Sequence, residues 1–307
     1  LDIITKVKRE NLVKHLDNWN RFVATTDIEL IRALLKLYEK GVIQIYNKTI
    51  NIPLTKFSYI ISSIGLNRRG DLIETFNLPV VGNKVECSRL KKELPSSYPM
   101  VCGGDEEIRR TMRISPNAFP LPVDVERAER LFKTYASRLL VPSRIWWDTA
   151  HAIALFADKP VIANMFFMVR LRVKKEIEDM AGKALALWLN TTWGLLTILL
   201  NRQETRGRWS SLEIGQWRAL RVLDVTKLEV SALRKLAESF DRWAGRELRR
   251  LPQQFSDDLL KSDEVRKGID MDFIRVFEPD INEDLLKDYL NDLYRRVKMI
   301  LEQWITG

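Results

Sequence analysis

Arginine and tryptophan carry the most suggestive chemistry in this chain. Arg202, Arg206, Arg208 and Trp209 follow one another within a short segment that also holds Gly207. A guanidinium pairs with phosphate or, in a bidentate contact, with a guanine edge, and an indole stacks or wedges. Gly207 lets the backbone approach a surface closely. Arg144, Trp146 and Trp147 form a second basic-aromatic group. On a strand, adjacent tryptophans point to opposite faces, so one of the two is a candidate contact and the other is core. Arg170 and Arg172 alternate along a third segment. Each group has a plain alternative, a solvated turn or a half-buried strand with a charged outer face. Other chemistries find little support. His15 and His151 are far apart, and Cys87 and Cys102 lack the paired spacing of a zinc site. Asp148 near His151 comes without a nucleophile elbow, and Pro279-Asp280 sits in a helical pattern that argues against a nuclease core. The two cysteines form no disulfide framework and read as reduced thiols of a cytoplasmic protein.

These groups need elements to hold them. Lys183 to Leu200 is apolar nearly all round, which predicts one buried central helix. It is shorter than the ~20 apolar residues of a membrane span and contains Asn190, Thr191, Thr192, Gly194 and Thr197, so no membrane is expected. Leu30, Ile31, Leu34, Leu35 and Tyr38 predict a helix stopped by Gly41, and Ile43 to Ile52 a strand or hairpin. Glu126 to Tyr135 reads as a short helix. Residues 138–174 read as strands, with Asp158-Lys159-Pro160 as a turn between two of them. In the second, Phe167, Val169, Leu171 and Val173 share one face, and Met168, Arg170, Arg172 and Lys174 the other. After Asp224 the pattern turns helical. Thr226 and Glu229 fit a capping box, Leu228, Leu233, Leu236, Phe240, Ala244 and Leu248 form a stripe, and Asn282 caps a last helix carrying Leu286, Tyr289, Leu293, Val297, Ile300 and Trp304. The fold class is α+β, a mixed α/β module around a buried helix followed by a helical region. Three parts are expected: a helical segment 1–45, an α/β domain 46–225 and helices 226–307.

Several stretches, in order, carry a family resemblance. Leu187-Trp188-Leu189-Asn190-Thr191-Thr192-Trp193-Gly194, followed by Glu204-Thr205-Arg206-Gly207-Arg208-Trp209, resembles the target-recognition part of N6-adenine DNA methyltransferases of restriction–modification and phage-defence type. Asp17-Asn18-Trp19-Asn20-Arg21-Phe22, Ile64-Gly65-Leu66-Asn67-Arg68-Arg69 and Arg138-Leu139-Leu140-Val141-Pro142-Ser143-Arg144-Ile145 fit the same pattern, and together they span most of residues 17–225. The resemblance implies duplex DNA as partner and a catalytic domain binding S-adenosylmethionine elsewhere in the parent chain.

This chain itself carries no Asn-Pro-Pro-aromatic motif, which such enzymes use on a flipped adenine. Ser115-Pro116-Asn117-Ala118-Phe119 has neither its order nor its second proline. Nor does a Gly-rich loop follow a strand. The catalytic half is expected before Leu1, and no cofactor is expected here. The net charge of +9 over 307 residues, with 46% hydrophobic residues, fits a folded protein with an acidic partner. The expected DNA-contacting residues are Arg144, Trp146, Trp147, Arg170, Arg172, Arg206, Arg208 and Trp209, with the Trp209 group sharing one positive cleft with Arg170 and Arg172. A second reading keeps the charge incidental and gives the C-terminal helices to a partner subunit.

Overall fold

The computed structural model describes residues 27–65, 69–82, 84–103, 106–201 and 209–306. The first helix, α1 (Ile28–Lys40), is capped by Asp27, whose carboxylate accepts the Leu30 N–H at 3.0 Å. It ends at Gly41 with φ 66°, where a side chain would also strike the Ile52 carbonyl. Next come the hairpin β1 (Val42–Ile45) and β2 (Lys48–Asn51), then β3 (Leu54–Lys56), α2 (Phe57–Ile60) and β4 (Ile61–Ile64). The loop-rich middle holds α3 (Arg69–Phe76), β5 (Val80–Val81), β6 (Lys84–Val85), β7 (Met100–Val101), β8 (Arg113–Ile114) and α4 (Val125–Tyr135). Beyond it lie β9 (Ser137–Pro142), β10 (Arg144–Trp146), β11 (Leu155–Ala163), β12 (Phe166–Leu171), α5 (Lys175–Leu189) and α6 (Thr192–Leu200). The chain finishes with β13 (Trp209–Ser211), α7 (Ile214–Ala219), β14 (Arg221–Leu223), α8 (Val230–Trp243), α9 (Glu264–Phe277) and α10 (Glu283–Thr306).

The architecture is α+β. Its main sheet runs β4-β12-β9-β11-β7, with β8 also pairing β11. β11 is parallel to β7 and β8 but antiparallel to β9. Asp158-Lys159-Pro160 is not a turn between strands. It is an exposed irregularity inside β11, where the register against β9 shifts between Phe156 and Val161. The alternation expected in β12 fails at Met168, which is buried, and returns with half-buried Arg170 and exposed Arg172. β12 is held between β9 and β4, and Phe167, Met168 and Val169 are all buried. Where both faces are covered, an interior strand has no polar face to show.

The predicted central helix is buried but is two helices. α5 and α6 meet at Asn190-Thr191 with a bend of 71°. Asn190 ends α5 and ties the bend to the sheet side: its Oδ1 accepts from Ile153 N–H and its Nδ2 donates to the Ala154 carbonyl, both at 2.7 Å. Thr191 caps α6, accepting the Gly194 N–H at 3.0 Å. No single described helix is long and apolar enough to cross a membrane, and residues 184–200 are buried inside the protein.

α8 packs on α5, and α9 packs on the bend through Phe273, whose ring centroid is 5.1 Å from that of Trp188. Buried Asp270 accepts from Thr192 N–H at 2.8 Å, from the Thr192 hydroxyl and from Tyr294 Oη at 2.7 Å. Buried Arg266 donates to the Asn190 carbonyl and to Gln254 Oε1. The Thr226–Glu229 capping box does not form. The Thr226 hydroxyl turns back to Asp224, and Glu229 precedes α8 without a side-chain cap. Asn282 does cap α10, accepting the Leu285 N–H at 2.9 Å. Arg296 on α10 reaches the start of α1, pairing with Asp27 at 2.6 Å and Glu29 at 2.9 Å.

One expectation about the cysteines is overturned. Cys87 and Cys102 are joined as a disulfide, their Cα atoms 5.6 Å apart. Their distance in sequence concealed a fold in which Phe119 N–H bonds to Leu90 and Met100 pairs with Ala118, drawing the two loops together.

Candidate nucleic-acid interface

β9 ends at Pro142, and Ser143 turns the chain out of the main sheet. Its hydroxyl donates to the Met165 carbonyl at 3.1 Å. β10 then pairs antiparallel with β13, setting Arg144 opposite Ser211, Ile145 opposite Ser210 and Trp146 opposite Trp209. Alternation along β10 sends Ile145 into the core, fully buried, and turns Arg144 and Trp146 outward. The Trp146 and Trp209 rings lie 6.0 Å apart, tilted by 39°. The Arg144 guanidinium sits 5.1 Å from the Trp209 ring centroid, within cation–π range. Trp146 is 46% exposed, an unusual position for so large an apolar surface. Three of the expected residues therefore converge on one two-stranded platform.

Trp147 does not join them. It is 2% exposed, and its indole N–H donates to Ser210 Oγ at 2.7 Å. The chain leaves the strand after Trp146, and Trp147 anchors the platform from beneath, so it is withdrawn as a surface contact. Arg202, Arg206 and Arg208 lie outside the described residues.

Arg170 and Arg172 are occupied elsewhere. Arg170 donates to the carbonyls of Lys133 at 2.5 Å and Thr134 at 3.4 Å, near the C-terminal end of α4, and Arg172 to the Ile61 carbonyl at 3.3 Å. The register separates them from Trp209. Phe166 lies opposite Pro142, beside the corner leading to β10, whereas Arg170 is four positions further along β12, roughly 13 Å at 3.3 Å per residue. The Arg206 and Arg208 part of the expected cleft lies outside the described residues, and Arg170 and Arg172 are engaged with backbone carbonyls. A cavity of about 300 Å³ near Arg170 is lined by Arg138 and Lys175 but also by Glu178 and Asp179, and Arg138 pairs with Asp179. Its charge is mixed.

Arg109, on the 3-10 turn Glu106–Arg109, was not foreseen. It is 4% exposed and donates to the Arg144 carbonyl at 3.1 Å. Its charge lies directly under the platform's first residue. In sequence it is one arginine among many, and burial is the only thing that distinguishes it. Glu106 on the same turn pairs with Arg250 at 2.8 Å and faces His151 at 3.1 Å. Hydrogen bonds from Arg250, then from His151, hold the Glu106 carboxyl at about 2. The other His151 ring nitrogen faces the Leu248 carbonyl at 2.5 Å, so the ring is engaged on both sides. Among the described residues no group of three or more His, Cys, Asp or Glu side chains is arranged to hold a metal.

No family model and no curated protein matches this chain. Among solved structures, it is similar to the type IIG restriction endonuclease BpuSI. The TM-score is 0.55 at 13% identity, covering 98% of this chain and 36% of the other. The likeness is one of fold, and this chain spans about a third of that enzyme's length.

Proposed function

We propose that this fold is the DNA-binding, target-recognition portion of an N6-adenine DNA methyltransferase of restriction–modification type. In this reading it positions duplex DNA for methylation by a catalytic domain that binds S-adenosylmethionine. The observation that carries the reading is the platform of Arg144, Trp146 and Trp209. An exposed indole against a half-buried one, with a guanidinium over the second ring, suits a nucleic acid better than a protein core: the rings offer stacking or wedging surfaces and the cation pairs with phosphate or a base edge. The ordered motif resemblance, the net charge of +9 and the likeness in fold to a restriction endonuclease agree with it. Arginine and lysine contacts to phosphates supply most of the affinity, and the platform supplies sequence choice.

The partner-subunit reading loses its main support. The apolar stripe of α10 is spent inside the chain's own core, with Leu286, Leu290, Tyr294, Val297 and Leu301 all buried. The test is an electrophoretic mobility series against duplex DNA with a salt titration. Wild-type affinity is expected to fall steeply with salt. Trp146→Ala and Trp209→Ala are each expected to weaken binding by about 1–3 kcal/mol, the range for a lost base–aromatic contact. Unchanged affinity in the folded double variant Trp146→Ala/Trp209→Ala would remove the platform from the interface.

A further inference from the structure

The two buried arginines among the described residues are treated differently. Arg266, fully buried, has its Nε and both Nη atoms engaged by Gln254 and the Asn190 carbonyl, and it attracts the Asp270 carboxyl, whose pKa burial raises. Arg109 has no such provision. One Nη donates to the Arg144 carbonyl, and the guanidinium lies 4.9 Å from the Phe166 ring centroid. Its Nε is buried with no hydrogen-bond partner. Among the described residues no carboxylate pairs with it, and Glu106 on its own turn is taken by Arg250 and His151. Burial pushes the Arg109 guanidinium down to about 10, which leaves it charged at neutral pH. A buried cation without an anion carries an unrecovered desolvation penalty. A fold that engages every nitrogen of Arg266 gains nothing by leaving Arg109 without a carboxylate among the described residues.

The place of that charge suggests what compensates it. The carbonyl it holds belongs to Arg144, whose own side chain is exposed on the platform. Two guanidinium-bearing residues thus meet at the corner between β9 and β10, and the neutral Arg144 carbonyl is the only acceptor Arg109 has among the described residues. An anionic oxygen arriving at this corner replaces a neutral acceptor with a charged one. The guanidinium fork matches two oxygens of one phosphate group. We propose that Arg109 is a phosphate seat, taking the phosphodiester backbone of bound DNA at the corner carrying Arg144. The ligand's identity as DNA rests on the function proposed above; the chemistry of the seat, a tetrahedral oxyanion, does not.

The test uses the described chain and two probes. With inorganic phosphate titrated against chloride at equal ionic strength, the wild-type melting temperature is expected to rise, and that of Arg109→Met not to respond. Without phosphate, Arg109→Met is expected to melt no lower than wild type, because a neutral side chain of similar length removes an uncompensated charge. With duplex DNA, Arg109→Met is expected to bind about tenfold more weakly on every sequence, as one charge-assisted contact implies. The slope of log affinity against log salt should flatten by about one unit. A lower melting temperature with the phosphate response intact would make Arg109 a structural residue and overturn the proposal. If Arg109→Met does not fold, Arg109→Lys keeps the charge but loses the fork. It must then lose at least half of the phosphate-dependent shift, and an undiminished shift overturns the seat. The two failures are separable. Salt-dependent DNA binding indifferent to Arg109 sinks the seat and leaves the DNA reading standing. A phosphate shift that needs Arg109, in a protein with no affinity for duplex DNA, does the reverse.

Discussion

Replacing Asp270 by alanine tests what holds the bend between α5 and α6. The carboxylate accepts three hydrogen bonds, from Thr192 N–H, the Thr192 hydroxyl and Tyr294 Oη. Thr192 is the first residue of α6, and its N–H has no partner within the helix, so the bond from α9 completes the helix start. All four residues Thr192, Arg266, Asp270 and Tyr294 are fully buried, and water cannot substitute. The orphaned amide alone costs ~1–3 kcal/mol. The hydroxyls can rotate toward other acceptors, but Arg266 also loses its attraction to Asp270, whose pKa burial raises, so ~3–5 kcal/mol, the cost of breaking a buried charged set, is the upper range. We expect Asp270→Ala to lose up to about 3–5 kcal/mol, a large part of the ~5–15 kcal/mol that stabilises an ordinary domain. Asp270→Asn keeps an acceptor for Thr192 N–H, and we expect it to lose about half as much. Urea unfolding followed by circular dichroism, with the slope compared between variants, measures both. A loss below ~1 kcal/mol for Asp270→Ala at unchanged slope would refute the assignment of this network as the brace of the bend.

Two further outcomes follow from other residues. At Gly194 an added Cβ would lie 2.0 Å from the Trp188 carbonyl oxygen, so Gly194→Ala, which helix propensity alone would favour, is expected to destabilise by ~1–3 kcal/mol or more; a rise in melting temperature would contradict the close approach. Glu106 is held at about 2, below the ordinary carboxylate value of 4.5, so its contribution is present above the unfolded value and is lost as pH falls through about 2. Acid titration of wild type and Glu106→Gln should show the variant with a shallower loss of stability between those limits, and parallel curves would show that the Arg250 pair adds nothing.

How much of this was legible in the sequence depends on the range of the interactions involved. Local signals read true: the stripe and Gly41 gave α1, Asn282 gave the cap of α10, and the adjacent tryptophans divided into one outward and one inward. The burial of residues 184–200 was visible because no face of that stretch is polar. The break at Asn190 was not, since a uniformly apolar run has no periodicity to interrupt. Its asparagine and threonines read as tolerated polar residues, because their partners, just before β11 and on α9, are remote in sequence. The basic face of β12 holds only toward the strand's end, with Arg170 half-buried and Arg172 exposed but Met168 buried, for a related reason. Alternation predicts a solvated face only where no second layer covers it, and the packing of α4 and α5 against β12 is a non-local fact. The platform is non-local too, joining Trp146 to Trp209 across 63 residues. The burial that sets Arg109 apart leaves no mark on its neighbours in sequence.

The clamp between Arg296 and Asp27 has a temporal meaning. The two residues are 269 positions apart, so at a synthesis rate of ~5–20 residues per second α1 precedes its partner by roughly 15–50 s. A helix of 13 residues is marginal alone in water. During that interval Leu30, Leu34 and Leu37 have the β1–β2 hairpin nearby but not α10. Until that part of α10 has been made, the face of α1 that Tyr289 and Leu293 will cover stays open, and this face is where a chaperone would meet the chain.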